Sequence, residues 1–243
     1  MGRKALILER FDRPGDGTRR GVVSALTILG LPETFMPIGS YPEVLDQLRL
    51  HSSTPEGLGE QLFRRIACNI AISNTDDHLR NHAAFWDGHH LDLTPAYDLS
   101  PVRRPGEVAG QALAYGRKGE RDSNLAKLVA HAHHYDLTAA RAREVAREVV
   151  AGIHDGWDEA ADRAELTAVD RSAFLGRLLL NPGALHGLES LSVQVPGAPA
   201  GNRARRGDVG LGMTERGGTA GRLTILPPTP PEIELPDATR DET

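Results

Sequence analysis

The sequence predicts a mostly α-helical fold with a small β-hairpin, an α+β class. Three observations carry this. Leu58, Leu62, Ile66 and Ile70 recur at four-residue spacing with Phe63 and Ala67 beside them, which is one face of a helix. Ala83–Trp86 and His89–Thr94 flank Asp87-Gly88, the turn chemistry of a hairpin. Beyond residue 123, Leu125, Leu128 and Val129 form one helical stripe and Val145, Val149 and Ile153 another.

Composition narrows the function classes. With 243 residues, 40% of them hydrophobic, the chain is long enough for one large or two small domains with a core. A net charge of −5 excludes a nucleic-acid binder that is basic over its whole surface, and no direct nucleic-acid contact is expected. One cysteine, Cys68, excludes a disulfide framework and a Cys-based zinc site; it is expected in the core. No apolar run approaches the ~18 residues of a membrane span. Ala5–Leu8 is too short for a signal peptide, so a soluble cytoplasmic protein is expected.

The elements follow in order. Ala5–Leu8 reads as a buried strand, and Pro14-Gly15-Asp16-Gly17 as a turn. Residues 22–30 fit a short helix or a strand. Pro42 to Leu50 reads as a short helix with Ser40 near its start. Ser52-Ser53-Thr54-Pro55-Glu56 is a helix-start signal, with a capping hydroxyl, a proline in the first turn and then a glutamate. The helix that follows becomes almost wholly apolar over Ile66–Ile72, so its end is expected to be buried. It runs into Ser73-Asn-Thr-Asp-Asp-His-Leu-Arg-Asn81. Trp86 and Tyr97 bracket the hairpin and are expected in the core or a pocket wall. Phe174–Leu180 reads as a last helix, stopped by Asn181-Pro182-Gly183. Residues 189–243 hold 7 prolines, 8 glycines and no Phe, Tyr or Trp, and read as a flexible tail.

Asp76, Asn81 and Asp98 are the residues that could carry chemistry. Phosphoryl transfer from ATP needs a carboxylate to accept the proton of the attacking hydroxyl, and oxygen ligands for Mg²⁺. Protein kinases place the first two as D-x-x-x-x-N on one loop and the third as an Asp beyond a hairpin. Asp76 and Asn81 have that spacing, and Asp77 does not. Asn and Asp also belong in turns for backbone reasons, so the three spacings alone leave both readings open. His131, His133 and His134 form a second cluster, for which a solvated or capping role is expected.

The wider string decides between them. Asn74-Thr-Asp-Asp-His-Leu-Arg-Asn81, with Pro95-Ala-Tyr-Asp-Leu-Ser-Pro101 downstream, closely resembles the HipA family, bacterial serine/threonine kinase toxins of type II toxin–antitoxin modules. Leu8-Glu-Arg-Phe-Asp-Arg13 is similar to that family's inter-lobe strand and hinge. Ser24–Gly30, Leu62–Ala67 and Leu179–Leu185 resemble further family segments, so the cover is about residues 3–188. The resemblance implies the large, mostly helical C-terminal lobe of a HipA-type kinase. It divides the chain into a hinge remnant (1–20), the lobe (21–188) and the tail (189–243).

By the same resemblance Asp76 is the catalytic base, and Asn81 and Asp98 hold Mg²⁺. His78, Leu79, Arg80, Asn81, Tyr97 and Asp98 lie along the ATP, and Glu9, Arg10 and Phe11 meet its adenine. The implied partners are a HipB-like DNA-binding antitoxin and a protein substrate of the aminoacyl-tRNA synthetase class. The family's glycine-rich phosphate loop and its nucleotide-pairing lysine precede the hinge, where this sequence has only Met1–Lys4. An N-terminally truncated kinase that needs a small lobe is therefore expected. The alternative is an inactive remnant that binds an antitoxin or a partner kinase, and a small-molecule phosphotransferase is a third option.

Overall fold

The structure, a computed structural model, describes residues 8–34, 39–104 and 106–189. The chain divides into two units, Met1–Pro196 and Gly197–Thr243, and only residues of the first are described. Ala5–Ile7 and the expected tail from residue 190 lie outside the described residues.

The helix read from the four-residue spacing is the centre of the fold. It spans Leu58–Ala71 and is α3 here; Leu62, Phe63, Ile66, Ala67 and Ile70 are all fully buried. Two helices precede it: α1 (Ala25–Ile28) and α2 (Tyr41–His51), which lays Tyr41, Val44, Leu45 and Leu48 against it. After it come α4 (Leu125–Ala130), a 3-10 turn (Ala132–Tyr135), α5 (Ala139–Arg163), α6 (Ala168–Phe174) and α7 (Pro182–Leu185). The first half of α5 presents Ala142, Val145, Ala146 and Val149 to the core. The Phe63 and Tyr135 rings meet edge-on, 5.7 Å apart, and the Tyr135 hydroxyl donates to the Tyr115 carbonyl at 2.7 Å. Among the described residues no helix is long and apolar enough to cross a membrane.

The expected hairpin is present as β2 (Ala83–Trp86) and β3 (Leu91–Leu93), and it gains a third strand. Residues 22–30 contain both alternatives in series: β1 (Gly21–Ser24), then α1 with Ser24 as its N-cap. The sheet order is β1-β2-β3, all antiparallel, with Val22 opposite Phe85 and Phe85 opposite Asp92. The loop that follows α3 runs directly into β2 of this sheet.

Four expectations are corrected. The serines before α3 do not cap it. Ser52 and Ser53 both give their hydroxyls to the Asp92 carboxylate, at 2.7 and 2.8 Å, and α3 starts later, after Gly57 at φ 79°. Asn181-Pro182 opens a helix rather than closing one: the Asn181 side chain accepts the Gly183 N–H, and proline suits the first turn. Residues 175–180 form a tight turn closed by a bridge between Leu175 and Leu179, not a helix. Leu8 lies in no strand and is 73% exposed, and Trp86 at the hairpin end is 41% exposed and so not core.

Candidate active site

The site is built on the loop between α3 and β2. The end of α3 is fixed first: the Leu180 N–H donates to the Ala71 carbonyl at 2.7 Å, and the Asn74 N–H to the Asn69 carbonyl at 2.8 Å. Ser73 then turns the chain at φ 57°, a conformation unusual for a residue with a Cβ. From there the loop is held on both flanks. The Val102 and Ala112 N–H groups donate to the Ser73 and Thr75 carbonyls, and the Leu26 and Ala25 N–H groups to those of Leu79 and His82. Leu79 is fully buried and acts as an apolar plug. Its side chain is therefore withdrawn from any nucleotide.

Asp77 points into the protein. It is 2% exposed and accepts hydrogen bonds from the Tyr41 hydroxyl and, at 2.5 Å, from Asn69 Nδ2. His82 Nε2 lies 3.0 Å from both of its oxygens. Burial, followed by the charge of Asp77, pushes the Tyr41 phenol well above its ordinary pKa, so it stays a donor. Asn69 also accepts from Asn74 Nδ2 at 3.1 Å, and Asn74 Nδ2 donates to the Asp98 carbonyl at 3.3 Å. Arg65 of α3 donates to the Thr94 carbonyl; burial lowers its pKa and the charge of Asp77 opposes that shift.

Asp76 and Asp98 are the opposite case. Both are exposed, and among the described residues neither carboxylate takes part in a hydrogen bond or an ion pair. Asn81 is 6% exposed and turns its Nδ2 inward to the Asp76 carbonyl, at 3.4 Å, which leaves its Oδ1 without a partner among the described residues. Asp98 sits at φ 56°, held from behind through its carbonyl. Asp76, Asn81 Oδ1 and Asp98 thus supply three oxygen donors from two chain segments, the loop and the stretch after β3. An amide oxygen and a carboxylate are hard ligands that fit Mg²⁺, which takes few protein ligands and completes its shell with phosphate and water. Among the described residues no group of three or more His, Cys, Asp or Glu is placed to hold a metal ion, and the histidines at 131–134 stack on one another instead.

The remaining predicted residues lie around these. The Phe11 ring packs on Phe85 (5.8 Å) and on Tyr97 (5.9 Å), which brings the expected hinge against the residue before Asp98. Glu9 and Arg10 are exposed, and Arg10 pairs with Asp12 at 2.6 Å. The Tyr97 hydroxyl donates to the Arg80 carbonyl at 2.5 Å, joining the two motif strings, and the Arg80 guanidinium pairs with Glu33 at 2.9 Å. His78 is half-buried, with Nδ1 unpartnered among the described residues. The spacing argument passed over Tyr41, Asn69, Asn74, Asp77 and His82. The available signal was Asn69, an amide inside the otherwise apolar run Ile66–Ile72.

The comparisons with known proteins bear on the family and the fold. A family model described as HipA-like C-terminal domain matches residues 1–157. No curated protein matches the chain. Among solved structures, a chain of the Shewanella oneidensis MR-1 toxin–antitoxin complex of HipA, HipB and its operator DNA is similar in fold. The TM-score is 0.56 at 21% identity, over 76% of this chain and 50% of that one. The present chain therefore spans half the length of that relative.

Proposed function

The chain belongs to the HipA-like C-terminal domain family, and from that premise we propose that it is the large lobe of a serine/threonine protein kinase of a type II toxin–antitoxin module. The reaction is transfer of the γ-phosphate of ATP to a protein hydroxyl. The observation that carries this reading is a division of labour among the polar residues of the loop and of the stretch after β3. Asp77 is saturated with internal donors, while Asp76, Asn81 Oδ1 and Asp98 stand without partners among the described residues.

In this reading Asp76 orients the attacking hydroxyl and accepts its proton. An exposed carboxylate on a loop fixed at both ends suits that task, since a general base must reach its substrate. Asn81 and Asp98 hold Mg²⁺, which when bound neutralises charge on the phosphates. The inward bond of Asn81 Nδ2 orients its oxygen outward. Phe11 and Tyr97 shape the base end of the nucleotide site, and Arg80 and His78 its phosphate end. Arg80 is held by Glu33 until a phosphate competes for it.

The similar solved structure is of a complex with HipB, which supports a HipB-like antitoxin as partner. The acceptor is proposed to be a cytoplasmic protein of the aminoacyl-tRNA synthetase class. A second reading, a lobe that binds antitoxin or a partner kinase without turnover, draws on the exposed apolar side chains Leu8, Val22 and Trp86.

Calorimetry tests the kinase reading. ATP binding is expected to require Mg²⁺ and to weaken about tenfold or more in Asp98→Asn, the loss of one charged ligand contact. Binding that ignores both Mg²⁺ and that substitution removes Asp98 from the site. Antitoxin binding without phosphate transfer by the intact chain favours the second reading.

A further inference from the structure

The kinase reading uses Asp76, Asn81 and Asp98 and gives no role to the buried polar cluster beneath them. The partners of Asp77 come from three places in the chain: Tyr41 from α2, Asn69 from α3 and His82 from the entry to β2. Two of the three also pack on each other, the Tyr41 ring standing edge-on to the His82 imidazole with centroids 5.1 Å apart. From Asn69 the bonds continue through the Asn74 side chain to the Asp98 carbonyl. One unbroken run of side-chain hydrogen bonds therefore leads from His82 to the backbone of Asp98.

Desolvating a carboxylate is strongly unfavourable, and an apolar residue of similar size would hold a core as well or better. What a carboxylate adds is direction. Each donor must point at it within a narrow range of angles, so three donors fix the elements that carry them in orientation as well as distance. The placement matches that task. Asp77 follows Asp76 directly, and His82 follows Asn81 directly. Asn74 lies next to Ser73, and Ser73 and Asp98 both adopt left-handed backbone conformations that need outside support.

We propose that Asp77 is a positioning residue for phosphoryl transfer: from beneath the loop, with Tyr41, Asn69, Asn74 and His82, it holds Asp76, Asn81 and Asp98 in register across two separate chain segments. This rests on the reading of Asp76 as the base. Asp77 touches no substrate. Its effect is on placement, to which phosphoryl transfer is sensitive, since a 1 Å displacement can cost about 10²-fold in rate.

The test uses the full chain and four variants: Asp77→Asn, Tyr41→Phe, Asn74→Ala and, as the control, Asp76→Asn. Calorimetry with Mg·ATP counts the binding sites in each preparation. Transfer of radiolabelled γ-phosphate to proteins of a cell extract is then expressed per site. Asp77→Asn is expected to keep its complement of sites and a KM for ATP within about 3-fold, while transfer per site slows roughly 30- to 100-fold. Tyr41→Phe, which removes one bond and keeps the ring, and Asn74→Ala are expected to slow it about 3- to 10-fold. A purely structural role would lower the number of sites and leave the rate per site unchanged, and that result overturns the proposal. If Asp77→Asn does not fold, Tyr41→Phe decides, and a wild-type rate per site there overturns the proposal as well. In both cases an inactive Asp76→Asn shows that the base reading survives. If Asp76→Asn instead transfers label at the wild-type rate, it is the base reading that falls.

Discussion

Asp76 and Asp77 share a peptide bond and have opposite surroundings: Asp77 is 2% exposed and hydrogen-bonded to Tyr41, Asn69 and His82, while Asp76 is exposed and its carboxylate has no partner among the described residues. The two positions should separate activity from stability. Asp76→Asn is expected to change unfolding free energy by no more than about 0.5 kcal/mol. It should lower transfer about 10²- to 10⁴-fold. Asp77→Ala strands three buried donors and is expected to lose about 2–5 kcal/mol. Urea unfolding beside a transfer assay reads both, and equal stability of the two variants contradicts the assignment.

Alkaline stability should fall steeply. Burial raises the phenols of Tyr41, Tyr115 and Tyr135 above the ordinary value. Above about pH 10 the unfolded chain releases their protons and the folded chain keeps them, so unfolding gains with rising pH. The stabilisation is complete below about pH 10 and declines above it, by up to about 1.4 kcal/mol per pH unit for each tyrosine. Thermal unfolding between pH 9 and 11 should show a shallower decline in Tyr135→Phe than in wild type.

Cys68 should be slow to react. Its thiol is pushed up to about 11, chiefly by burial, with the charge of Asp77 adding to it. Since the thiolate is the nucleophile, alkylation by iodoacetamide at pH 8 is expected to be at least about tenfold slower in the folded chain than in urea. Equal rates would mean that the fold does not withdraw the Cys68 thiol from solvent.

Arg141 ties α5 to Glu60 at the start of α3, with 2.5 and 2.9 Å bonds, and also bonds Glu144 and Glu148. The Arg141 bonds hold the Glu60 carboxyl below its ordinary pKa. That stabilisation is present above about pH 4.3 and is lost as the pH falls through the folded value. Both side chains are partly exposed, so Arg141→Met is expected to cost only about 1 kcal/mol near neutrality. Wild type and variant should draw together in urea titrations as the pH falls below about 4.3, and a gap that stays constant with falling pH would place the effect in packing rather than charge.

Gly59 offers a test of packing. A Cβ there would overlap the backbone carbonyl of Tyr135. Alanine ordinarily favours a helix by about 1 kcal/mol over glycine. Here Gly59→Ala is expected to destabilise by about 1–3 kcal/mol, seen as a lower urea midpoint. A gain in stability would show that α3 and the 3-10 turn do not approach so closely.

What could be read from the sequence was what is local. The stripe of α3, the hairpin around Asp87-Gly88 and the Ser40 cap of α2 each depend on residues within a few positions of one another. The misreadings were decided by distant partners. Ser52 and Ser53 carry a cap signal, but Asp92, some forty residues on, takes both hydroxyls. The local pattern of residues 22–30 fits a strand or a helix, and pairing with Ala83–Trp86 makes its first part a strand. The same holds at the site. Asp76, Asn81 and Asp98 stand out in two motif strings that can be read along the chain, whereas Asp77 reads as one more loop carboxylate until Tyr41 and Asn69 are seen against it. A buried charge is recognised by its partners, and partners from α2 and α3 leave no mark beside it in the chain.

The bond from the Leu180 N–H to the Ala71 carbonyl also has a bearing on timing. Ala71 ends the helix that leads into the loop, and the group that satisfies its carbonyl is made roughly a hundred residues later. At a synthesis rate of about 5–20 residues per second, a nascent chain would carry the whole loop for several seconds before its last support emerged from the ribosome. The loop that would handle ATP is thus translated well before the contact that secures the helix leading into it.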